Sequence, residues 1–184
     1  MKKLLMLLII ALFVLAGCGK SGDVTITFPA TMFDNELFTI DEMVEQMEED
    51  NEVKEVNKND DGSLSIVMSK SEHDKVMEEM KEDLQESFAG IVNDNEFFTS
   101  IKNIEENKDY TEINVTVDQA MYEEGMESFA MLALASSSVY YQIFSGIEAD
   151  KHELTINLKD EASDEVFETM NYPEDFEDIG LIPE

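Results

Sequence analysis

Four short segments of the chain alternate apolar and polar residues with period two. They are Val24-Thr25-Ile26-Thr27-Phe28, Leu64-Ser65-Ile66-Val67-Met68, Ile113-Asn114-Val115-Thr116-Val117 and Leu154-Thr155-Ile156-Asn157-Leu158. In a strand, successive side chains point to opposite faces, so each segment lines up three apolar residues on one side. The other side carries mostly Thr, Ser and Asn, which tolerate water. Such strands suit a sheet that is covered on one face only. Two shorter apolar segments, Val53-Lys54-Glu55-Val56 and Ile101-Lys102-Asn103-Ile104, precede the second and third strands. They lie 48 residues apart, and the strands that follow them lie 49 apart. Asp61-Gly62 between the first pair is a strong hairpin-turn signal, and Asn107-Lys108-Asp109 separates the second pair. The spacing predicts a hairpin followed by a helix at least twice, a weak internal duplication and not a solenoid.

Helical patterns separate these strands. Residues 39–49 place Ile40, Met43, Val44 and Met47 at helical spacing, with Asp41 and Glu42 where the helix dipole favours acids. Residues 71–88 place Val76, Met77, Met80, Leu84 and Phe88 on one side, and Ser71 with Asp74 suggests a capping pattern at the entry. Residues 118–144 predict the longest helix, and residues 165–170 a final turn or two. The resulting order, βα, ββα, ββα and βα, predicts an α+β fold: a two-layer sandwich with a mainly antiparallel sheet and helices on one face.

The N-terminus predicts where the protein resides. Met1-Lys2-Lys3 is a short cationic segment, residues 4–15 are an unbroken apolar run, and Leu15-Ala16-Gly17-Cys18 follows at once. That order predicts a secretory signal peptide, and the apolar run is shorter than the roughly 20 residues of a spanning helix. Leu-Ala-Gly-Cys resembles the lipobox of bacterial lipoproteins, in which the thiol receives a diacylglycerol and the leader is cut just before the Cys. The expected organisation is a signal peptide over residues 1–17, a lipidated Cys18 with a short tether over 18–22, one α+β domain over 23–172 and an acidic tail over 173–184. The expected location is the extracytoplasmic face of the cell membrane, held by the lipid anchor. Gly19-Lys20-Ser21-Gly22 reaches about 14 Å when extended, which keeps the domain close to the bilayer.

Composition narrows the function. Of 184 residues, 12 are Lys, none is Arg and 43 are Asp or Glu, for a formal charge of −31. A polyanion repels nucleic-acid phosphates, which argues against a nucleic-acid-binding protein. One Cys cannot form an internal disulfide, and one Cys with two His cannot build a zinc finger. An anionic lipid surface would also repel the domain, which leaves attachment to the anchor. The charge favours a cationic protein or peptide as partner.

Four features invite a chemical reading. Residues 128–147 are uncharged, long enough for a membrane span, but Ser128, Ser136, Ser137, Ser138, Gln142, Ser145 and Gly146 interrupt them. Tyr122, Met126, Phe129, Ala133, Tyr140, Ile143 and Ile147 recur there every three or four residues, which predicts a central helix buried by that stripe against the sheet. Residues 57–65 resemble the start of a calcium loop, but Met68 stands where the closing bidentate Glu belongs, so a hairpin turn is expected. Residues 34–39 and 94–99 are near-copies, Asp-Asn-Glu-Leu/Phe-Phe-Thr, whose Glu36 and Glu96 could serve as paired carboxylates. In a chain with 43 acids such pairs arise by chance. His73 and His152 each lie among acids, which favour the charged imidazolium, and are expected to be solvated surface residues. No glycine-rich phosphate loop or Gly-x-Ser-x-Gly elbow occurs. No catalytic, cofactor-binding or metal-binding residue is therefore assigned; the one assigned site is lipid attachment at Cys18.

Several of these segments together resemble a family of small lipoproteins of Gram-positive bacteria, commonly labelled as having an antigen I/II N-terminal domain. The resemblance rests on the lipobox, Thr27-Phe28-Pro29-Ala30, Asn59-Asp60-Asp61-Gly62-Ser63, Tyr141-Gln142-Ile143-Phe144-Ser145-Gly146 and Lys159-Asp160-Glu161-Ala162-Ser163-Asp164-Glu165-Val166-Phe167. Thr-Gly is expected in relatives where Ser163-Asp164 stand. The family implies location and a shared fold, with function unassigned. The expected function is a membrane-anchored, non-catalytic surface interaction module for a cationic partner. The alternatives are a small-ligand or cation-binding lipoprotein and, after it, a carboxylate-dependent cell-envelope hydrolase using Glu36 or Glu96.

Overall fold

The computed structural model describes residues 22–33, 39–49 and 52–179. The fold is α+β, as the sequence predicts. The elements in chain order are β1 (Asp23–Phe28), α1 (Ile40–Glu49), β2 (Val53–Lys58), β3 (Leu64–Ser69), α2 (Lys70–Val92), β4 (Ile101–Glu106), β5 (Glu112–Val117), α3 (Gln119–Tyr122), α4 (Ser128–Phe144), β6 (Leu154–Asp160) and β7 (Val166–Tyr172). The expected single sheet is two. One has the order β1-β3-β2 and the other β4-β5-β6-β7. All pairs are antiparallel except β5 with β6, which run parallel because the α3–α4 crossover separates them.

Alternation works as the sequence predicts. Ile26 and Phe28 in β1, Leu64, Ile66 and Met68 in β3, Ile113, Val115 and Val117 in β5, and Leu154, Ile156 and Leu158 in β6 are buried. Full burial of such a side chain contributes about 1.5–3 kcal/mol. The hairpins β2–β3 and β4–β5 share more than pairing. Each has a register shift near its first residue, at Val53/Glu55 and at Ile101/Asn103. Each connection is braced by an Asn whose side-chain amide donates to a hydroxyl four residues on: Asn59 to Ser63 and Asn107 to Thr111, both at 2.8 Å.

Helices α2 and α4 each bridge the two sheets. Val76, Met77 and Met80 of α2 pack with the core under β1 and β3, while Leu84 and Phe88 join the core under β4–β6. Helix α4 runs the other way: Ala130, Met131, Leu134 and Ala135 fill the second core, and Ile143 and Phe144 the first. The Phe144 ring meets Phe28 edge-on at 5.5 Å. Helix α1 lies against β2.

Several sequence expectations need correction. Residues 165–170 are not helical; from Val166 they belong to β7, an edge strand paired with β6, where Val166, Phe167 and Thr169 favour extended backbone. The cap of α2 is Ser69, extended at the end of β3, whose hydroxyl accepts from the Glu72 amide at 3.2 Å. Asp74 instead accepts from Lys70 at 2.6 Å. The helix predicted over residues 118–144 breaks near Gly125 into α3 and α4, so α2 is the longer helix. At that break Glu127 reaches back to accept from the Ser100 amide at 3.1 Å. A Cβ on residue 125 would stand 1.9 Å from the Glu127 carboxylate, which explains a glycine there. The packed fold also extends past residue 172, because Phe176 in a 3-10 turn after β7 is fully buried in the larger core.

Candidate functional site

Most residues singled out from the sequence hold the fold together. Cys18 and Glu36 lie outside the described residues. The 57–65 segment is the β2–β3 hairpin turn. Asp61 accepts from the Ser63 amide at 3.0 Å and its hydroxyl at 2.7 Å, and these bonds hold its pKa below the ordinary carboxylate value. Gly62 takes φ +86, a conformation open to few other residues. In the 94–99 segment, Asp94 accepts from the Glu96 and Phe97 amides, each at 2.7 Å, which lowers its pKa; Glu96 itself is exposed. Of the partner copy, Thr39 is described. Its hydroxyl accepts from the Glu42 amide at 3.3 Å, while Glu42 accepts from the Thr39 amide at 3.2 Å, a reciprocal cap on α1.

The histidines are not surface residues. His152 is 8 % exposed, and its Nε2 donates to the Ile147 carbonyl at 3.0 Å. Burial lowers its pKa and keeps it neutral, which overturns the expected imidazolium. His73, partly buried on the first turn of α2, donates through Nε2 to the Phe144 carbonyl at 2.8 Å. It thereby ties the C-terminus of α4 to α2. Gln142, which the sequence marks only as an interruption of the uncharged run, is fully buried on α4. Its Nε2 donates to the Tyr110 and Glu153 carbonyls at 2.9 and 2.8 Å, and its Oε1 accepts from the Glu153 amide at 3.2 Å.

A recess of about 640 Å³ is lined by Asp118, Gln119, Ala120, Glu123, Asp160, Glu161 and Ala162. Three of its four acids are occupied locally. Asp118 caps α3 by accepting from the Met121 amide at 3.1 Å, Glu123 accepts from Gln119 at 2.8 Å, and Asp160 accepts from the Ser163 hydroxyl at 2.8 Å. Among the described residues, no group of three or more His, Cys, Asp or Glu side chains is placed to hold a metal ion.

What remains is surface, and it is chemically divided. The open face of the four-stranded sheet carries a grid set by its register. Glu105, Asn114, Asn157 and Thr169 form one row, Asn103, Thr116 and Lys159 a second, and Glu112, Thr155 and Asn171 a third. Side chains bond across the strands: Asn157 donates to Asn114 at 3.2 Å, and Thr169 donates to Asn157 at 3.1 Å. Exposed acids lie across the described surface, including Glu105, Glu112 and Glu168 on the sheet, and two helices carry dense groups of them. Asp41, Glu42, Glu45 and Glu48 of α1 are exposed, as are Asp74, Glu78, Glu79, Glu82, Asp83 and Glu86 of α2. Lys70, Lys75 and Lys81 of α2 oppose them, with Lys58 of β2, which pairs with Asp41; Lys75 is already paired with Glu52 at 2.9 Å.

Helix α4 forms a third kind of surface. Among the described residues no helix is long and apolar enough to cross a membrane. Of the stripe expected to be buried, Ile143 is buried and Tyr122 and Ile147 are partly buried, but its residues between Tyr122 and Ile143 face outward. Met126, Phe129 and Tyr140 are 59, 58 and 39 % exposed, and Ala133 and Ser136 are exposed between them. The buried face is Ala130, Met131, Leu134, Ala135, Ser138, Gln142 and Ile143. Both faces of α4 are uncharged, so periodicity alone does not distinguish them.

No family model, curated protein or solved structure matches this chain.

Proposed function

We propose that the protein is a lipid-anchored interaction module on the extracytoplasmic face of a Gram-positive cell membrane, of the lipoprotein family its motifs resemble. In this reading Cys18 carries the acyl chains, and the domain engages a cationic protein or peptide without catalysis. The observation that carries the reading is the density of acid on two helices: ten exposed acids on α1 and α2 with few compensating lysines. A concentrated anionic surface steers and selects basic partners, and its contribution falls with ionic strength. The sheet face, where Glu105 and Glu112 lie among Asn and Thr and are partly offset by Lys159, and the three internally bonded acids of the recess support placing that contact on the helical side. The lipobox motif supports the anchor.

Two measurements test the reading. Cys18→Ser should stop leader processing and abolish incorporation of labelled fatty acid in a bacterial host; unchanged processing and labelling would remove the anchor from the account. Envelope extract passed over the immobilised protein should leave a saturable basic partner that elutes with salt. Turnover of an envelope glycan that disappears on Glu36→Gln or Glu96→Gln would replace this reading with the hydrolase.

A further inference from the structure

We propose that the exposed stripe of α4 is a homodimer interface that pairs two copies of the chain antiparallel about a two-fold axis. The stripe is Phe129, Ala133, Ser136 and Tyr140, at spacings of four, three and four residues. That is the a/d repeat of a coiled-coil seam. It is also symmetric about its own midpoint, between Leu134 and Ala135. When the helix meets a copy of itself antiparallel, Phe129 faces the second copy's Tyr140, and Ala133 faces the second copy's Ser136. A two-fold interface requires this self-complementarity, because each residue's partner must itself lie in the patch. Aromatic anchors stand at both ends and small residues in the middle, where two helices approach most closely.

The serine hydroxyls do not oppose burial. Ser136 donates to the Leu132 carbonyl at 2.9 Å, and Ser137 to the Ala133 carbonyl at 2.7 Å. With donors satisfied inside their own helix, these side chains present small surfaces that need no water. The self-complementary spacing points to a second copy, and charge sets where two copies can meet. Two molecules of charge −31 repel through most of their surface, and α1 and α2 are dense in acid. Helix α4 has no ionisable Asp, Glu or Lys over its 17 residues, so it is the surface on which two copies meet with least repulsion. A helix of that length is about 25 Å long. One helix pair covers less than the roughly 800 Å² per partner of a standard stable interface, so the dimer is reversible. Salt strengthens it by screening the flanking acids, whereas salt weakens engagement of a cationic partner.

Disulfide trapping tests the register directly. Two differently tagged full-length chains, both with Cys18→Ser, are purified together in mild detergent, one with Ala133→Cys and the other with Ser136→Cys, and oxidised. The expected product is the mixed 133–136 pair, in excess over 133–133 pairs, and increasing with salt. Adding Phe129→Glu to both chains should reduce it about tenfold. An exposed control, Glu82→Cys on α2, should trap no more than background, which excludes clustering in the micelle as the cause. Circular dichroism of each variant must match the parent, and Ser136→Ala, which keeps the surface small, should leave the dimer intact. Several outcomes would overturn the proposal: trapping no better than the control, equal 133–133 and 133–136 yields, or a face shielded from aqueous thiol reagent by detergent without any trapped pair.

Discussion

Buried polar side chains at the junctions between elements carry much of this fold's specificity. Gln142 joins α4 to the loop before β5 and the entry to β6 through three hydrogen bonds. Gln142→Leu leaves two carbonyls and an amide unpartnered and should cost about 2–4 kcal/mol, measurable by urea denaturation. His152 gives a pH signature. Its folded pKa lies below its ordinary value, so the unfolded chain takes up the proton first as pH falls. The neutral form's stability is fully present above the unfolded pKa, near 6.5. It is lost as pH drops from there through the folded pKa. His152→Gln should flatten that part of the stability-pH curve. Asp164 makes the opposite point about strain. It takes φ +59 in the turn before β7, a conformation in which glycine avoids the Cβ penalty. Asp164→Gly should be neutral or stabilising by up to about 1 kcal/mol, while Asp164→Ala should destabilise. The glycine that the family resemblance leads one to expect at that position has a physical reason to be there.

At the level of elements, the strands were legible and one helix face was not. The four period-two segments and both hairpins follow from patterning and turn residues, because burial on one side forces alternation. The stripe of α4 misled for an equally physical reason. Its inner face mixes Ser138 and Gln142 with Met131, Leu134 and Ile143, while its outer face carries Phe129 and Tyr140, so neither charge nor a clean polar side marks which face is buried. Strand β7 was hidden because its own burial is only partial, so no strict alternation marks it. The parallel β5–β6 pair is a long-range feature with no local sequence signal. Helix ends are better defined. Gly146, at φ +78, closes α4: its amide bonds Ile143 and the Ile147 amide bonds Gln142, at 3.0 and 3.2 Å. Gly146→Ala should lower stability by about 1 kcal/mol, and Ser69→Ala at the head of α2 by a similar amount, both read from chemical denaturation.

For the molecule as a whole, charge governs stability as well as recognition. A formal charge of −31 opposes its own compaction, so moderate monovalent salt should raise the melting temperature. Matched ionic strength from a divalent cation should do no more than that, since three of the four acids of the recess are spent on local bonds. Net charge was plain in the sequence; its placement was not, because placement depends on which strands and helices share a side. The central claim is that the acids of α2 engage a cationic partner while the sheet face does not. Its most direct test is oligolysine binding by titration calorimetry to two charge-matched variants. One is Glu78→Gln with Glu82→Gln on α2, and the other is Glu105→Gln with Glu112→Gln on the open sheet. The α2 variant should bind roughly tenfold more weakly and lose part of its salt dependence, with the sheet variant close to the parent. Equal weakening by both would mean that net charge alone attracts the peptide, and would contradict a helical recognition face.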